Sequence, residues 1–360
     1  MQLLPPPPFI AHHPRHLTTA WAQYVATQHT PGTIVKQVKL SSVDVGTTTR
    51  ICILVDHNGP ETLPRQWFIK TPSLSWRARA ITALPRLLHT EIRFYNELAQ
   101  ITQITKPTVL SAKSYFGRGS TLVLNDITAQ GAIPGSPSDT LSVAQAVLVI
   151  EKIASLHAQF WNKTHKKPEF RWLAGPVRRL EDHLGSILAV PLMKRGLDKA
   201  GHLVPKALHA PAIHYARNRR LAMRFLSQGP QTIIHHDCHP GNIFWLNNKP
   251  GLLDWQMVRI GEGISDIAYF LATSLAPEIR KTNEAQLIKH YIQSLTDNGV
   301  SSIDFEQIKH RYSAHLVYPF EAMLITLAVG GMMDLDANLE LIKRAASAIN
   351  DNDSFAALPV

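Results

Sequence analysis

The chain has 360 residues, enough for two lobes or two domains and a sizeable hydrophobic core. Hydrophobic residues make up 45% and charged residues 18%, which excludes a disordered chain. No apolar run reaches the ~18 residues that cross a bilayer, so we expect no membrane partner. A formal net charge of +10 invites a nucleic-acid partner. However, the basic residues are scattered in pairs without ribonucleoprotein or zinc-finger spacing, which argues against one.

The first 30 residues are predicted to form a proline-rich arm and one helix. The start, MQLLPPPPFIAHHPRH, lacks the basic and apolar regions of a secretory signal, and its four prolines favour an extended polyproline conformation. A helix is predicted over 16–28, with Thr18 or Thr19 as its N-cap. Two distant cysteines, Cys52 and Cys238, give no disulfide framework, so we expect a cytoplasmic protein.

Residues 31–127 are predicted to be rich in β-strands, because apolar runs alternate with turn residues. The predicted strands are 34–40, 50–55, 66–71, 107–116 and 120–124. A small-residue turn is predicted over 41–49, a basic mobile flap over 73–85, and a helix over 87–101 from its helical apolar spacing.

Lys70 is the charged residue at the end of the third predicted strand. A lone strand lysine is commonly an exposed edge residue. A buried ammonium needs an anionic partner, because burying an unpaired charge costs several kcal/mol. The candidate partners are a phosphate and Glu91, near the start of the following helix.

Residues 128–360 are predicted to be mostly helical, after a Gly/Pro/Ser-rich loop over 131–138. The predicted helices are 141–161, 178–189, 211–226, 284–300 and 304–324. The apolar run 322–333 is predicted to be a buried helix rather than a membrane span.

The stretch 233–256, IIHHDCHPGNIFWLNNKPGLLDWQ, carries the chemistry. Two apolar runs separated by a turn over 247–251 predict a hairpin-like unit that presents Asp237, Asn242 and Asp254. One carboxylate can orient a hydroxyl nucleophile, while an amide oxygen and a second carboxylate hold Mg²⁺ on nucleotide phosphates. Phosphoryl transfer needs this division of labour, because the protein supplies position and charge.

These motifs resemble the protein-kinase-like superfamily, and within it the aminoglycoside phosphotransferase and choline kinase group. Residues 235–242 match the catalytic loop His-Gly-Asp-x-His-x-x-Asn, except that His236 replaces glycine. Residues 253–256 match the metal segment, and the glutamine after its aromatic is more like the ecdysteroid-kinase-like branch. Residues 261–271 match the pattern Gly-x-x-x-x-Asp-(Leu/Ile)-Ala, in which Asp266 would hydrogen-bond the catalytic-loop backbone.

The resemblance implies an α+β, two-lobed protein-kinase-like fold, with a small β-rich N-lobe and a larger, mostly helical C-lobe. It implies an ATP-dependent kinase in which Asp237 is the base and Asn242 and Asp254 bind Mg²⁺. Lys70 would bind phosphate oxygens, and Glu91 would hold Lys70.

The resemblance also places the nucleotide in the N-lobe, 31–127, with the acceptor pocket in the C-lobe, 128–360. The turn that contains Gly46 would cover the phosphates, although an ordinary hairpin turn explains it equally well. Backbone groups near Leu124 to Asp126 would meet the adenine edge. The partner would be a small-molecule hydroxyl acceptor such as a sterol, polyketide, sugar or antibiotic-like alcohol. Few acidic clusters tilt the expectation towards a neutral, lipophilic or anionic acceptor. Nothing in the pattern specifies an oligomeric state.

Two other hypotheses use the same residues. His235, His236, Asp237 and His239 are metal-ligand types, which predicts a metal-dependent hydrolase with Zn²⁺ or Fe. A non-catalytic nucleotide-binding protein of the same fold would be indicated by loss of Lys70 or one of the acidic residues, and none is lost.

Overall fold

The computed structural model describes residues 9–76, 79, 86–115, 117–164 and 167–360, and these residues form two compact units. The first unit contains residues up to Ile101, Lys106–Ile133 and Asp254–Gln256. The second contains Thr102–Thr105, Pro134–Leu253 and Met257–Val360. The predicted polyproline segment and most of the predicted flap over 73–85 lie outside the described residues. The functional roles predicted for 31–127 and 128–360 stay predictions.

The first unit is built on a five-stranded antiparallel sheet in the order β1-β2-β3-β5-β4. Its strands are β1 (Val35–Val45), β2 (Thr48–His57), β3 (Gln66–Pro72), β4 (Val109–Tyr115) and β5 (Gly119–Asn125). Its helices are α1 (Thr19–His29) and α2 (Leu87–Arg93), the latter continued by a π-helical turn, Phe94–Leu98. The core lies between α1 and the sheet, where Trp21 packs on Trp67 with ring centroids 6.3 Å apart.

The prediction of a turn over 41–49 is wrong, because the observed turn is much shorter. Strand β1 continues to Val45, which pairs with Thr49, so the turn contains only Gly46 and Thr47. The small residues of this segment include β-branched threonine and valine, which fit a pleated ladder as well as a loop. The N-cap prediction is confirmed at Thr18, whose side chain accepts from Trp21 N.

The second unit is mostly helical. Its helices are α3 (Val143–Phe160), α4 (Pro176–Ala200), α5 (His209–Arg217), α6 (Arg219–Phe225), α7 (Ile264–Ser274), α8 (Pro277–Asp297), α9 (Phe305–His315), α10 (Val317–Val329) and α11 (Leu335–Asp351). Helix α7 is buried along its whole length and packs against α3, α8 and α9, so it forms the centre of this unit. The side chains of α7 are therefore fixed by packing on all sides.

Short strands frame the loop that carries the predicted catalytic residues. Strand β7 (Gln231–Ile234) pairs antiparallel with β10 (Arg259–Glu262), and β8 (Ile243–Leu246) pairs with β9 (Lys249–Leu252). The two-residue strand β6 (Ile133–Pro134) lies where the first unit ends and the second begins.

The β8–β9 hairpin turns on two residues, not on the predicted 247–251. Asn247 and Asn248 have φ of 50° and 60°, the left-handed conformation that asparagine tolerates in two-residue hairpins. Gly251 belongs to β9, and a Cβ there would lie 2.2 Å from the Phe244 ring, so only glycine fits opposite that ring.

The predicted helix over 304–324 is interrupted at Leu316, between α9 and α10. Pro319 has no N–H to donate to the carbonyl of His315, four residues earlier, so the hydrogen-bonded ladder is broken there. By length and composition alone, the described stretch Phe305–Val329 resembles a membrane span, with a mean hydropathy of 1.2. However, 67% of its apolar window is buried inside the fold, which is typical of a core helix pair.

Candidate functional site

A buried ionic triad forms in the first unit between Lys70, Glu91 and Asp254. Lys70 lies on β3 at the centre of the sheet, and its Nζ donates to both Glu91 carboxylate oxygens at 2.9 Å. The same Nζ lies 3.1 Å from Asp254 Oδ1. The structure therefore brings together three of the predicted site residues, and Lys70 is buried on a central strand rather than exposed on an edge strand.

The triad holds two carboxylates against one ammonium. Burial lowers the pKa of Lys70, but the carboxylates of Asp254 and Glu91 outweigh burial, so its pKa lies above the ordinary value. Burial, opposed by Lys70 and assisted by the charge of Asp254, raises the pKa of Glu91 to about 7. When both carboxylates are ionised, the triad carries a net negative charge, which a bound cation would neutralise.

Asp254 is held in an unusual backbone conformation, with φ of 60°. This left-handed region costs a non-glycine residue about 1 kcal/mol, and it persists only where the surroundings enforce it. The next residue provides the enforcement: Trp255 is fully buried and stacks on Phe94, with ring centroids 4.0 Å apart and planes at 5°. The strain marks Asp254 as a functional candidate.

The turn that contains Gly46 was predicted to cover the phosphates. Its backbone does not require glycine at position 46. Gly46 does not have a positive φ, and the nearest atom that its Cβ would meet is 3.4 Å away. The Thr49 hydroxyl accepts from Leu74 N at 2.9 Å, and the Gly46 carbonyl accepts from Ser73 Oγ at 2.7 Å. Contact between this turn and phosphate stays a prediction.

The segment from Leu124 to Asp126, which was predicted to bind the adenine edge, already makes hydrogen bonds within the protein. Leu124 is buried within β5, and the N–H of Asp126 donates to the Gln66 carbonyl at 3.0 Å. The Asp126 carboxylate accepts from Thr128 N at 3.0 Å, which makes it a helix cap. Binding of adenine stays a prediction for the backbone groups of this segment other than the N–H of Asp126.

In the second unit, a buried carboxylate holds the start of the predicted catalytic loop. Asp266 of α7 accepts from His235 N at 2.7 Å and from His236 N at 2.8 Å, as predicted for it. His157 of α3 lies 3.3 Å from the same carboxylate. At the other end of the loop, Leu253 N donates to the Asn242 carbonyl at 2.8 Å. The loop is therefore fixed at both ends.

Asp237 is the most exposed charged group of this loop, with 20% of its side chain accessible. Tyr269 Oη donates to its Oδ1 at 2.8 Å, and Asn242 Nδ2 donates to its Oδ2 at 3.0 Å and to its carbonyl at 2.9 Å. Burial raises the pKa of Tyr269 well above its ordinary value, so this hydroxyl remains a donor. The carboxylate is fixed in orientation and keeps lone pairs for a third donor.

Sequence reasoning missed Tyr269. The signal was available, because Tyr269 follows Asp266 by three residues on α7, and residues so spaced share one face of a helix. That face presents Asp266 to the loop backbone and Tyr269 to the loop carboxylate.

The residue types fit Mg²⁺. This hard cation prefers oxygen ligands and uses one or two carboxylates together with substrate phosphates. Asn242 donates through Nδ2 to Asp237, which leaves its Oδ1 as an oxygen ligand. Asp254, in the first unit, offers a carboxylate from a cluster with excess negative charge.

The hydrolase hypothesis is not supported. Among the described residues, no three histidine, cysteine, aspartate or glutamate side chains are grouped to hold a metal ion. His235 Nε2 contacts the Leu253 carbonyl at 2.8 Å, whereas the His236 ring stacks on Tyr318. The histidines therefore point to different partners.

A family model described as the ecdysteroid kinase-like family matches residues 46–301 of the chain. A comparison with curated proteins gave no significant match.

Two solved structures are similar over nearly the whole chain. An ethanolamine kinase of Plasmodium vivax has 14% sequence identity and a TM-score of 0.52, and the match covers 96% of this chain and 90% of that one. A choline kinase of Cryptosporidium parvum has 13% identity and a TM-score of 0.50, covering 94% and 96%. At this identity the likeness shows the fold alone. It confirms the predicted protein-kinase-like α+β fold, with a β-rich N-terminal part and a mostly helical C-terminal part.

Proposed function

The chain belongs to the ecdysteroid kinase-like family, and on that premise we propose that it transfers the terminal phosphoryl group of ATP to a hydroxyl group of a small molecule. The observation that carries the proposal is the setting of Asp237. Its carboxylate is partly exposed, and Tyr269 and Asn242 fix both of its oxygens. A carboxylate so oriented is suited to accept the proton of an attacking alcohol.

In the proposed reaction, the acceptor hydroxyl oxygen forms a bond to the γ-phosphorus, and the bond from that phosphorus to the bridging oxygen of ADP breaks. The hydroxyl proton passes to Asp237 Oδ1 or Oδ2. Phosphoryl transfer depends mainly on positioning and on charge stabilisation, so the roles of the remaining residues are to hold and to neutralise.

Lys70 would contribute a fixed positive charge to the phosphates, with Glu91 holding its ammonium. The bidentate contact at 2.9 Å supports this role, because it confines Nζ to one position. Asn242 and Asp254 would hold Mg²⁺, which would neutralise phosphate charge when bound. Asp266 would act as a positioning residue, because it binds the backbone that precedes Asp237.

The acceptor is an alcohol such as a sterol, polyketide, sugar or antibiotic-like compound, and the proposed setting is the cytoplasm. The two similar structures are described as kinases of ethanolamine and choline, which are small alcohols. The kind of alcohol that suits this chain depends on the groups near Asp237.

An ATP-consumption screen over hydroxylated metabolites tests this proposal. We expect ADP to form only with particular alcohols, and mass spectrometry should show the acceptor gaining one phosphoryl group. Mg·ATP binding without transfer to any alcohol would favour the non-catalytic nucleotide-binding hypothesis instead. Failure to bind Mg·ATP would contradict both.

A further inference from the structure

A cavity of about 260 Å³ lies in the second unit, beside the loop that carries Asp237. Its walls come from α4, α6, β7, β10 and the junction of α9 with α10. Apolar side chains form part of the lining: Leu173, Met223, Leu226, Ile234 and Ile260. Four arginines and two carboxylates also line it, so the described lining carries excess positive charge.

Three of the lining arginines already have acidic partners. Arg178 pairs with Glu181 at 2.5 Å, Arg219 with Glu321 at 2.7 Å, and Arg259 with Asp182 at 3.1 Å. Each pair holds a carboxylate close to a guanidinium, so a ligand would have to compete with that carboxylate for the cation.

Arg179 is different, because it is exposed and, within the described part of the chain, its side chain has no ion-pair or hydrogen-bond partner. The two lining carboxylates are both engaged: Asp182 with Arg259, and Glu262 with Arg311 and His315. A cationic ligand would therefore find no carboxylate without a cation, whereas an anionic ligand would find Arg179.

His236 forms part of the wall and stands where related catalytic loops have glycine. Its φ of 68° is the conformation that glycine adopts freely, and its ring stacks on Tyr318 with centroids 4.0 Å apart and planes at 14°. The histidine therefore keeps the backbone of a glycine position and adds an aromatic surface.

The hydrogen bonding of His236 also favours an oxygen-rich ligand. Arg259 Nη1 lies 3.3 Å from Nε2, and a guanidinium can only donate, so Nε2 accepts and the proton resides on Nδ1. Burial lowers the pKa of His236 well below its ordinary value, with Arg259 and Arg178 adding to the effect, so the ring is neutral. The buried Nδ1–H has no partner among the described residues.

This wall is connected to the proposed base through direct contacts. His236 precedes Asp237 in the chain, and the Tyr318 ring lies 5.8 Å from the Tyr269 ring, whose hydroxyl donates to Asp237. A ligand in the cavity would thus lie against His236, which is the chain neighbour of the proposed base, and against Tyr318, which packs on Tyr269.

We propose that this cavity binds the acceptor and selects an anionic alcohol, one that carries a carboxylate next to an apolar ring, over a cationic one. Arg179 pairs with the carboxylate of the acceptor. The stacked His236 and Tyr318 rings form the wall against which the acceptor's apolar ring packs. This inference rests on the proposed phosphotransferase function, because it takes Asp237 as the base.

Three alcohols that share one ring and differ in charge test the proposal. They are 4-(hydroxymethyl)benzoate, neutral 4-methylbenzyl alcohol and cationic 4-(aminomethyl)benzyl alcohol. Their dissociation constants are measured by calorimetry on the full chain without nucleotide. The variants are Arg179→Gln and, as a matched control, Arg195→Gln, which alters an exposed arginine of the same helix outside the cavity lining.

We expect the benzoate to bind at least about tenfold more tightly than the amine, the difference that one charge-assisted hydrogen bond provides. Arg179→Gln should remove most of this preference without changing the affinity for the neutral alcohol, and Arg195→Gln should leave it unchanged. Added salt should weaken only the benzoate.

Equal or tighter binding of the amine would overturn the inference. So would equal effects of Arg179→Gln and Arg195→Gln, or no binding of the benzoate at millimolar concentration. Because these measurements omit nucleotide, they separate the two proposals. Phosphorylation of a cationic alcohol would preserve the phosphotransferase function and defeat the inference. Anion binding in a protein that transfers no phosphate would defeat the phosphotransferase function, and it would leave the cavity as an anion site without its assignment to an acceptor.

Discussion

Asp237→Asn is expected to lower kcat for phosphoryl transfer by about 10³-fold, with the affinity for Mg·ATP nearly unchanged. An amide has the shape of a carboxylate but cannot take the proton of the acceptor hydroxyl. Its oxygen can still accept from Tyr269, whereas its NH₂ group would face the Asn242 amide that now donates to Asp237. Turnover is measured as ADP formation with an acceptor from the screen, and nucleotide binding by calorimetry.

Two further variants sharpen this test. Asp336→Asn removes an exposed carboxylate in the same unit and should leave kcat unchanged. Tyr269→Phe keeps Asp237, the proposed base, but removes one of the two donors that fix its carboxylate, so we expect an intermediate loss of kcat of about tenfold. Near-normal turnover of Asp237→Asn would remove Asp237 from the mechanism.

Asp254→Asn is expected to weaken Mg·ATP binding by roughly 100-fold, because it removes a carboxylate that we propose as a ligand of the cation. Asparagine tolerates a positive φ better than most residues, so the backbone at 60° should be retained. Lys70 keeps its contact with Glu91. The measurement is the ratio of ATP affinities with Mg²⁺ and with a chelator.

In the absence of Mg²⁺, the affinity of Asp254→Asn for ATP should equal or exceed that of the wild type, because the variant has less negative charge near the phosphates. Asp56→Asn changes an exposed carboxylate on β2 that pairs with Arg65, and it serves as the control. An unchanged ratio of affinities in Asp254→Asn would show that this residue does not hold the metal.

The local elements and several contacts followed from the sequence. The apolar run around Lys70 predicted a strand, and the helix with Glu91 predicted the partner that the structure places 2.9 Å away. The bond from Asp266 to the loop backbone was also predicted, on the strength of the motif after Asp254. The strand and the helix follow from local periodicity, which the sequence displays directly, whereas the role of Asp266 was implied by the family resemblance.

Other features depend on pairs of residues far apart in sequence. Tyr269 meets Asp237 across 32 positions, and His236 meets Tyr318 across a longer separation. The spacing of Tyr269 from Asp266 places both on one face of α7. However, no periodic pattern indicates the contact between His236 and Tyr318, because it arises from the packing of α10 against the loop. The positive φ of His236 and of Asp254 is equally invisible, since neither is glycine.

The most direct test of the central claim is a crystal structure with Mn²⁺ and a non-hydrolysable ATP analogue. We expect the anomalous signal of the metal within coordination distance of both Asn242 Oδ1 and the Asp254 carboxylate. The terminal phosphate should face Asp237, and Lys70 should contact the phosphates. A metal bound by only one of the two residues, or a nucleotide bound away from Lys70, would contradict the account.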